Sequence, residues 1–190
     1  MILYFYGPDS YRRVQALNEV VVKTFEQKHS ALGSARFYLS EDGQFEKLKE
    51  FVRSTSLFNP NKLAIVYNPE DADKELKNFL KEQIDSKTRT IVVLTNKKLT
   101  KEFDFLLKSP VTSREFEPLS GPDLLKYVLT QAKQKGLNVS IPSIQELIGV
   151  YSDDLWAIMT ELEKVASGGA IEDRGRAPDF FPLVQSLKGG

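Results

Sequence analysis

The sequence predicts an α/β fold in which a largely parallel sheet carries helices on both faces and is followed by a small helical domain. Three observations predict it. Short runs rich in aromatic and β-branched residues alternate with amphipathic stretches through residue 118, the pattern of repeated strand-helix units. Two of those runs, Leu63-Ala64-Ile65-Val66 and Ile91-Val92-Val93-Leu94, are apolar without alternation, as strands covered on both sides are. Beyond Glu117-Pro118-Leu119-Ser120-Gly121-Pro122 nothing reads as a strand, and three apolar stripes at helical spacing take over.

The first strand is expected at residues 2–6, ended by Gly7-Pro8-Asp9. A helix follows over 10–28, with Val14, Leu17, Val20 and Val21 on one face. Residues 35–39 form the second strand. The next helix, 44–53, places Phe45, Leu48, Phe51 and Val52 at i, i+3, i+6 and i+7. Strands at 62–67 and 90–94 flank a helix over 74–84 that carries Leu76, Phe79, Leu80 and Ile84. A short helix over 101–108, with Phe103, Leu106 and Leu107, leads to the last strand at 113–116. The helical domain, about 119–167, rests on three stripes. They are Leu125, Val128, Leu129 and Ala132; Ile144, Leu147, Ile148 and Tyr151; and Leu155, Ile158, Met159, Leu162, Val165 and Ala166. Gly136 suits the end of the first of these helices and Pro142 the opening turn of the second. Residues 168–190 read as a polar linker and one apolar stretch, 180–184, too small to make a domain.

Composition narrows the function classes. A chain of 190 residues, 41% of them hydrophobic, holds one full domain and a smaller second one. Lys plus Arg (26) and Asp plus Glu (26) cancel, so no global field draws the chain towards nucleic acid or an anionic membrane. Any contact with DNA is expected to be local or shared with partners. The absence of cysteine excludes disulfides, thiolate metal sites and cysteine nucleophiles, and fits a reducing cytoplasm, where the protein is expected. The apolar start stops at Gly7 without a positive lead-in, too short for a signal peptide or a membrane span. The single histidine, His29, beside Lys28 and Ser30, reads as a surface residue on a polar helix end rather than a metal ligand or triad member.

A strand, a glycine turn and a helix at the N-terminus are the setting of a phosphate-binding loop, yet Gly7-Pro8-Asp9-Ser10-Tyr11-Arg12-Arg13 lacks its chemistry. Such a loop needs G-x-x-x-x-G-K-[ST], whose amides cradle phosphates while the lysine reaches the outer oxygens. Here there is no second glycine and no lysine before a hydroxyl, Pro8 removes a donor, and Asp9 sets a negative charge beside the phosphate position. Capping of the helix by Asp9 or Ser10 is the expected role. The acidic groups Glu70-Asp71 with Asp73, Asp153-Asp154, and Glu161 with Glu163 have no partners in sequence that would complete a metal or acid-base site, and read as helix-initiating and solvated carboxylates. Lys97, Lys98 and Lys101, and Lys133 with Lys135, read as solubilising charge or as local phosphate contacts. No cofactor, no metal and no catalytic residue is expected, and so no enzyme.

What stands out is Arg53-Ser54-Thr55-Ser56-Leu57-Phe58, just before Asn59-Pro60. Two large apolar side chains, Leu57 and Phe58, fall beyond the helical stripe and before a turn, since Pro60 disfavours helical geometry at Asn59. They are either a plug under the domain or a wedge offered to a partner.

In their order and spacing, four elements resemble the delta subunit of bacterial DNA polymerase III, the clamp-loader subunit that opens the sliding clamp. They are Tyr4-Phe5-Tyr6-Gly7-Pro8-Asp9-Ser10; Ser56-Leu57-Phe58 followed by the strand at 62–67; the strand at 90–94 with Glu115-Phe116-Glu117-Pro118-Leu119; and Asp153-Asp154-Leu155-Trp156 leading into Glu161-Leu162-Glu163-Lys164-Val165. The resemblance covers nearly the whole chain. It implies a P-loop NTPase-like, AAA+-type α/β domain (1–118) with a degenerate phosphate loop at Gly7, Pro8, Asp9 and Ser10 that does not bind ATP. It further implies a three-helix lid domain (119–167), and a linker with the start of a collar domain (168–190). Leu57 and Phe58, flanked by Thr55 and Ser56, would enter a hydrophobic pocket of the clamp, the polymerase beta subunit. The other loader subunits, gamma/tau and delta prime, would join through a collar, and DNA would be met indirectly within the complex, with no membrane involved.

Two departures qualify the resemblance. Arg53 stands where many clamp-binding motifs carry Gln, which affects that polar contact and not the Leu-Phe plug. Residues 179–190 resemble only the beginning of a collar, so the chain is expected to be a truncated form, a fragment, or a short form with a separate collar. Two other function classes stay open on sequence: a nucleotide-dependent α/β enzyme with an unorthodox site near Gly7 and Asn96, and an interaction module unrelated to replication.

Overall fold

The computed structural model describes residues 1–54, 60–69 and 74–167, the side chains of Val20, Val165 and Ala166 excepted. The chain divides into two compact units, Met1–Glu117 and a second beginning at Pro118.

In the first unit, β1 (Ile2–Tyr6), β2 (Ser34–Tyr38), β3 (Lys62–Tyr67), β4 (Arg89–Thr95) and β5 (Thr112–Glu115) form one sheet in the order β2-β3-β4-β1-β5, every pairing parallel. The expected α/β class is therefore the class observed. Alternate residues of the central strands pack on opposite faces, which is why their sequences lack polar positions. Ile2, Tyr4, Ala64, Val66, Ile91 and Val93 join one core. That core is covered by α3 (Gln44–Arg53), α4 (Lys74–Gln83) and a 3-10 helix (Lys101–Leu107), through Leu48, Val52, Leu76, Leu80 and Leu106. Phe5, Leu63, Ile65, Val92 and Leu94 join the other, beneath Ala16, Leu17, Val21 and Phe25. Those four residues belong to a continuous helical stretch made of α1 (Ser10–Ala16), a π-helical segment (Leu17–Val22) and α2 (Lys23–Lys28). The sequence pattern predicts an uninterrupted α-helix there, and an α-helix at 101–108. In the second case the pair Phe103 and Leu106, three residues apart, satisfies a 3-10 turn as well as an α-helical one.

Strand order creates the position that matters for function. From β1 the chain crosses to the far edge at β2, returns through β3 to β4, and then passes β1 to reach β5. Connections leaving β1 and β4 thus run in opposite directions along the sheet. In open α/β sheets the crevice between the carboxyl ends of such strands is where ligands bind.

The second unit contains α5 (Gly121–Gln134), α6 (Ile141–Tyr151) and α7 (Leu155–Ala166). Its buried stripes are Leu124, Val128 and Ala132; Ile144 and Leu147; and Leu155, Ile158, Met159 and Leu162. Leu124, not the expected Leu125, leads the first stripe, because adjacent leucines fit a helical period equally well and only the packing partners choose between them. Gly136, with φ of 75°, follows α5. Its amide donates to Lys133 O, and Leu137 N donates to Ala132 O at 2.9 Å, the paired bonds that close a glycine-terminated helix. Ser140 caps α6 ahead of Pro142, and Asp154 Oδ1 accepts from Ala157 N at 3.1 Å at the start of α7.

Candidate functional site

The loop leaving β1 is bound to the exit of β5. Phe116 N donates to Tyr6 O at 2.8 Å and Asp9 N to Phe116 O at 3.0 Å. Gly7 sits at φ +120°, and a Cβ there would lie 2.5 Å from Phe116 O, so close backbone approach and conformation both demand glycine. Gly7 thus serves the joint between strand ends.

Asp9 is the N-cap of α1, and its Oδ1 accepts from Arg12 N at 3.0 Å. Its other oxygen pairs with Arg12 Nε at 2.5 Å, and Arg12 also donates to Glu117 O. Asp9 is 8% exposed, so a buried carboxylate already occupies the positive end of the helix, where an incoming phosphate would bind.

Arg13 completes the arrangement. Only 6% exposed, it points into the crevice between the β1 and β4 ends. Its guanidinium donates to Gly7 O, to Thr95 O at 2.8 Å and to Asn96 Oδ1 at 2.5 Å. The crevice therefore presents oxygen acceptors to the chain's own cation, the reverse of a phosphate loop, which presents N–H donors to an anion. Arg13 escapes sequence reading as a buried residue because it is charged. Its position, four before Leu17 and eight before Val21 on the buried stripe, is the signal that could have revealed it.

Thr55, Ser56, Leu57 and Phe58 lie outside the described residues, as do Asn59, the acidic group Glu70, Asp71 and Asp73, and residues 168–190. The described flanks of the Leu57-Phe58 segment are well defined. At the end of α3, Ser54 N donates to Glu50 O and Ser54 Oγ to Phe51 O, both at 2.8 Å. Arg53 lies 3.6 Å from Glu82, an exposed pair of small energetic weight. On the downstream side Lys62 N donates to Thr88 O at 2.8 Å, and the buried Lys62 amine stands over the Phe51 ring at 4.9 Å.

The sequence context of His29 predicts a surface position, and the fold gives it a different one. His29 is half-buried rather than a free surface residue: Asn61 Nδ2 lies 3.2 Å from its Nδ1, and its ring is 5.0 Å from that of Phe25. Its partner is distant in sequence, so a local reading could not supply it. Lys135 pairs with Glu163 at 2.8 Å, which makes it part of a surface ion pair. Among the described residues no three His, Asp or Glu side chains gather as metal ligands, and no helix is long and apolar enough to cross a membrane.

The fold is similar to that of the Bacillus subtilis DNA clamp loader delta protein (YqeN), with a TM-score of 0.62 and 20% sequence identity over 96% of this chain and 57% of that one. The chain thus spans little more than half the length of this structural neighbour. At such identity the likeness establishes the fold. No protein-family model and no curated protein matches the sequence.

Proposed function

We propose that the chain is a non-catalytic clamp-loader subunit of the delta type, which binds the replicative sliding clamp through Leu57 and Phe58 and helps to open it for loading onto DNA. The observation that carries this reading is the occupied crevice. At the one place where this fold class holds a nucleotide phosphate, Asp9 takes the helix end and Arg13 takes the crevice. With the phosphate position filled by the chain's own residues, the reading assigns its function to a partner contact instead.

The Leu57-Phe58 pair supplies the partner-binding chemistry. Burying both side chains contributes about 3–6 kcal/mol gross, at ~1.5–3 per side chain and before association costs. The pair anchors binding, and surrounding surface supplies the remainder. Opening follows if the subunit binds the open clamp more tightly than the closed one, since a ligand shifts an equilibrium only by its differential affinity. Assembly with other loader subunits would need a collar domain, and DNA would be met through the complex.

Two measurements test the reading together. Co-elution with the cognate sliding clamp in size-exclusion chromatography is expected, and calorimetric titration with ATP and Mg²⁺ is expected to give no saturable heat. Saturable nucleotide binding with no clamp complex would replace this reading with a nucleotide-dependent enzyme.

A further inference from the structure

We propose that His29 and Asn61 are positioning residues that fix the downstream flank of the Leu57-Phe58 segment, a role that rests on the clamp-binding reading above. Two contacts carry it. On the side-chain side, the Asn61 amide lies 3.2 Å from His29 Nδ1, so the amide donates and the ring nitrogen accepts. On the backbone side, the Asn61 carbonyl lies so close to Gly33 that a Cβ there would stand 2.7 Å from it, and 3.2 Å from the Phe25 ring. Asn61 is therefore gripped from two directions by the turn that joins α2 to β2.

The grip is itself fixed. His29 N donates to Phe25 O at 2.8 Å at the end of α2, and the His29 ring leans on the buried Phe25, whose side chain belongs to the core beneath the sheet. Just beyond Asn61, Lys62 enters β3 and bonds to Thr88. Asn61 is three residues from Phe58, a separation of at most about 10 Å of chain, and Pro60 between them has a locked φ. Asn61 and Pro60 are thus the described anchor from which the chain runs back towards the Leu-Phe pair. Fixing that flank lowers the ordering cost of binding, which is how preorganisation raises affinity.

His29→Ala and Asn61→Ala test this, with His29→Gln as the variant that restores an acceptor. Clamp affinity and hydrogen-deuterium exchange across residues 54–61 of the free protein are the two readouts. The Ala variants are expected to weaken clamp binding about three- to tenfold and to speed exchange across 54–61 while β3 and β4 stay protected, with His29→Gln recovering part of both. Unchanged affinity with unchanged exchange overturns the proposal. Loss of protection spread evenly over the sheet also overturns it, because it marks a purely structural role. Failure of the unmodified protein to bind the clamp would remove the functional reading, and exchange alone would then decide: faster exchange confined to 54–61 upholds the grip, and none refutes it.

Discussion

Arg13 donates to Asn96 Oδ1 at 2.5 Å, joining α1 to the exit of β4 across 83 residues of sequence. With Gly7 O and Thr95 O as its other acceptors, this one side chain knits the carboxyl ends of two adjacent strands.

Removing it should be costly. Arg13→Ala removes a buried charged donor shared by Gly7 O, Thr95 O and Asn96 Oδ1, and a loss of about 2–4 kcal/mol in urea-unfolding stability is expected. Arg13→Lys should recover less than half, because an ammonium cannot reproduce the fork. A loss below about 1 kcal/mol for the Ala variant would show that the guanidinium is dispensable.

Gly7→Ala should destabilise by about 2–4 kcal/mol, since it combines a φ of +120° with a Cβ that collides with the backbone at Phe116. An Ala substitution at the exposed Gly43, with φ of +73° and nothing within 4 Å of a Cβ, supplies a control for a positive φ without a collision. Similar losses at both positions would mean that the contact with Phe116 contributes nothing.

Much of this architecture is legible in the sequence, and the exceptions share a cause. The continuous apolar runs at 63–66 and 91–94 announce central strands because both faces are buried there. The ladder begins one residue before the apolar positions that reveal it, at Ser34, Arg89 and Thr112, while β2 and β5 stop one residue short of the expected ends, at Tyr38 and Glu115. Asp9 is readable as a cap because its bond to Arg12 N is local. The roles of Arg13 and His29 are not readable, because each is defined by partners from other strands: Thr95 and Asn96 for one, Asn61 for the other. A charged residue on an apolar stripe signals burial, but only the fold supplies its acceptors.

Stability should fall at alkaline pH through two phenols. The Tyr6 pKa is raised above its ordinary value by burial first, and then by the charge and hydrogen bonding of Glu115 and the charge of Glu117. Burial also raises that of Tyr67, against an opposing hydrogen bond and charge from Arg36. In both cases the folded state holds its proton more tightly than the unfolded state. Their contribution is thus fully present below about pH 10 and is lost as the pH rises through the folded-state values. Urea midpoints followed from pH 8.5 to 11 should decline less steeply in the Tyr6→Phe, Tyr67→Phe variant, which keeps both ring stacks; parallel curves would refute the assignment.

The central claim is that this chain works through Leu57 and Phe58 and not through the crevice at Arg13. An affinity titration against the cognate sliding clamp, run on the unmodified chain and on Leu57→Ala with Phe58→Ala, tests it most directly. The account predicts saturable binding by the first and a loss of about a hundredfold or more in the second, with an unchanged circular dichroism spectrum. Equal binding by the two proteins would contradict it.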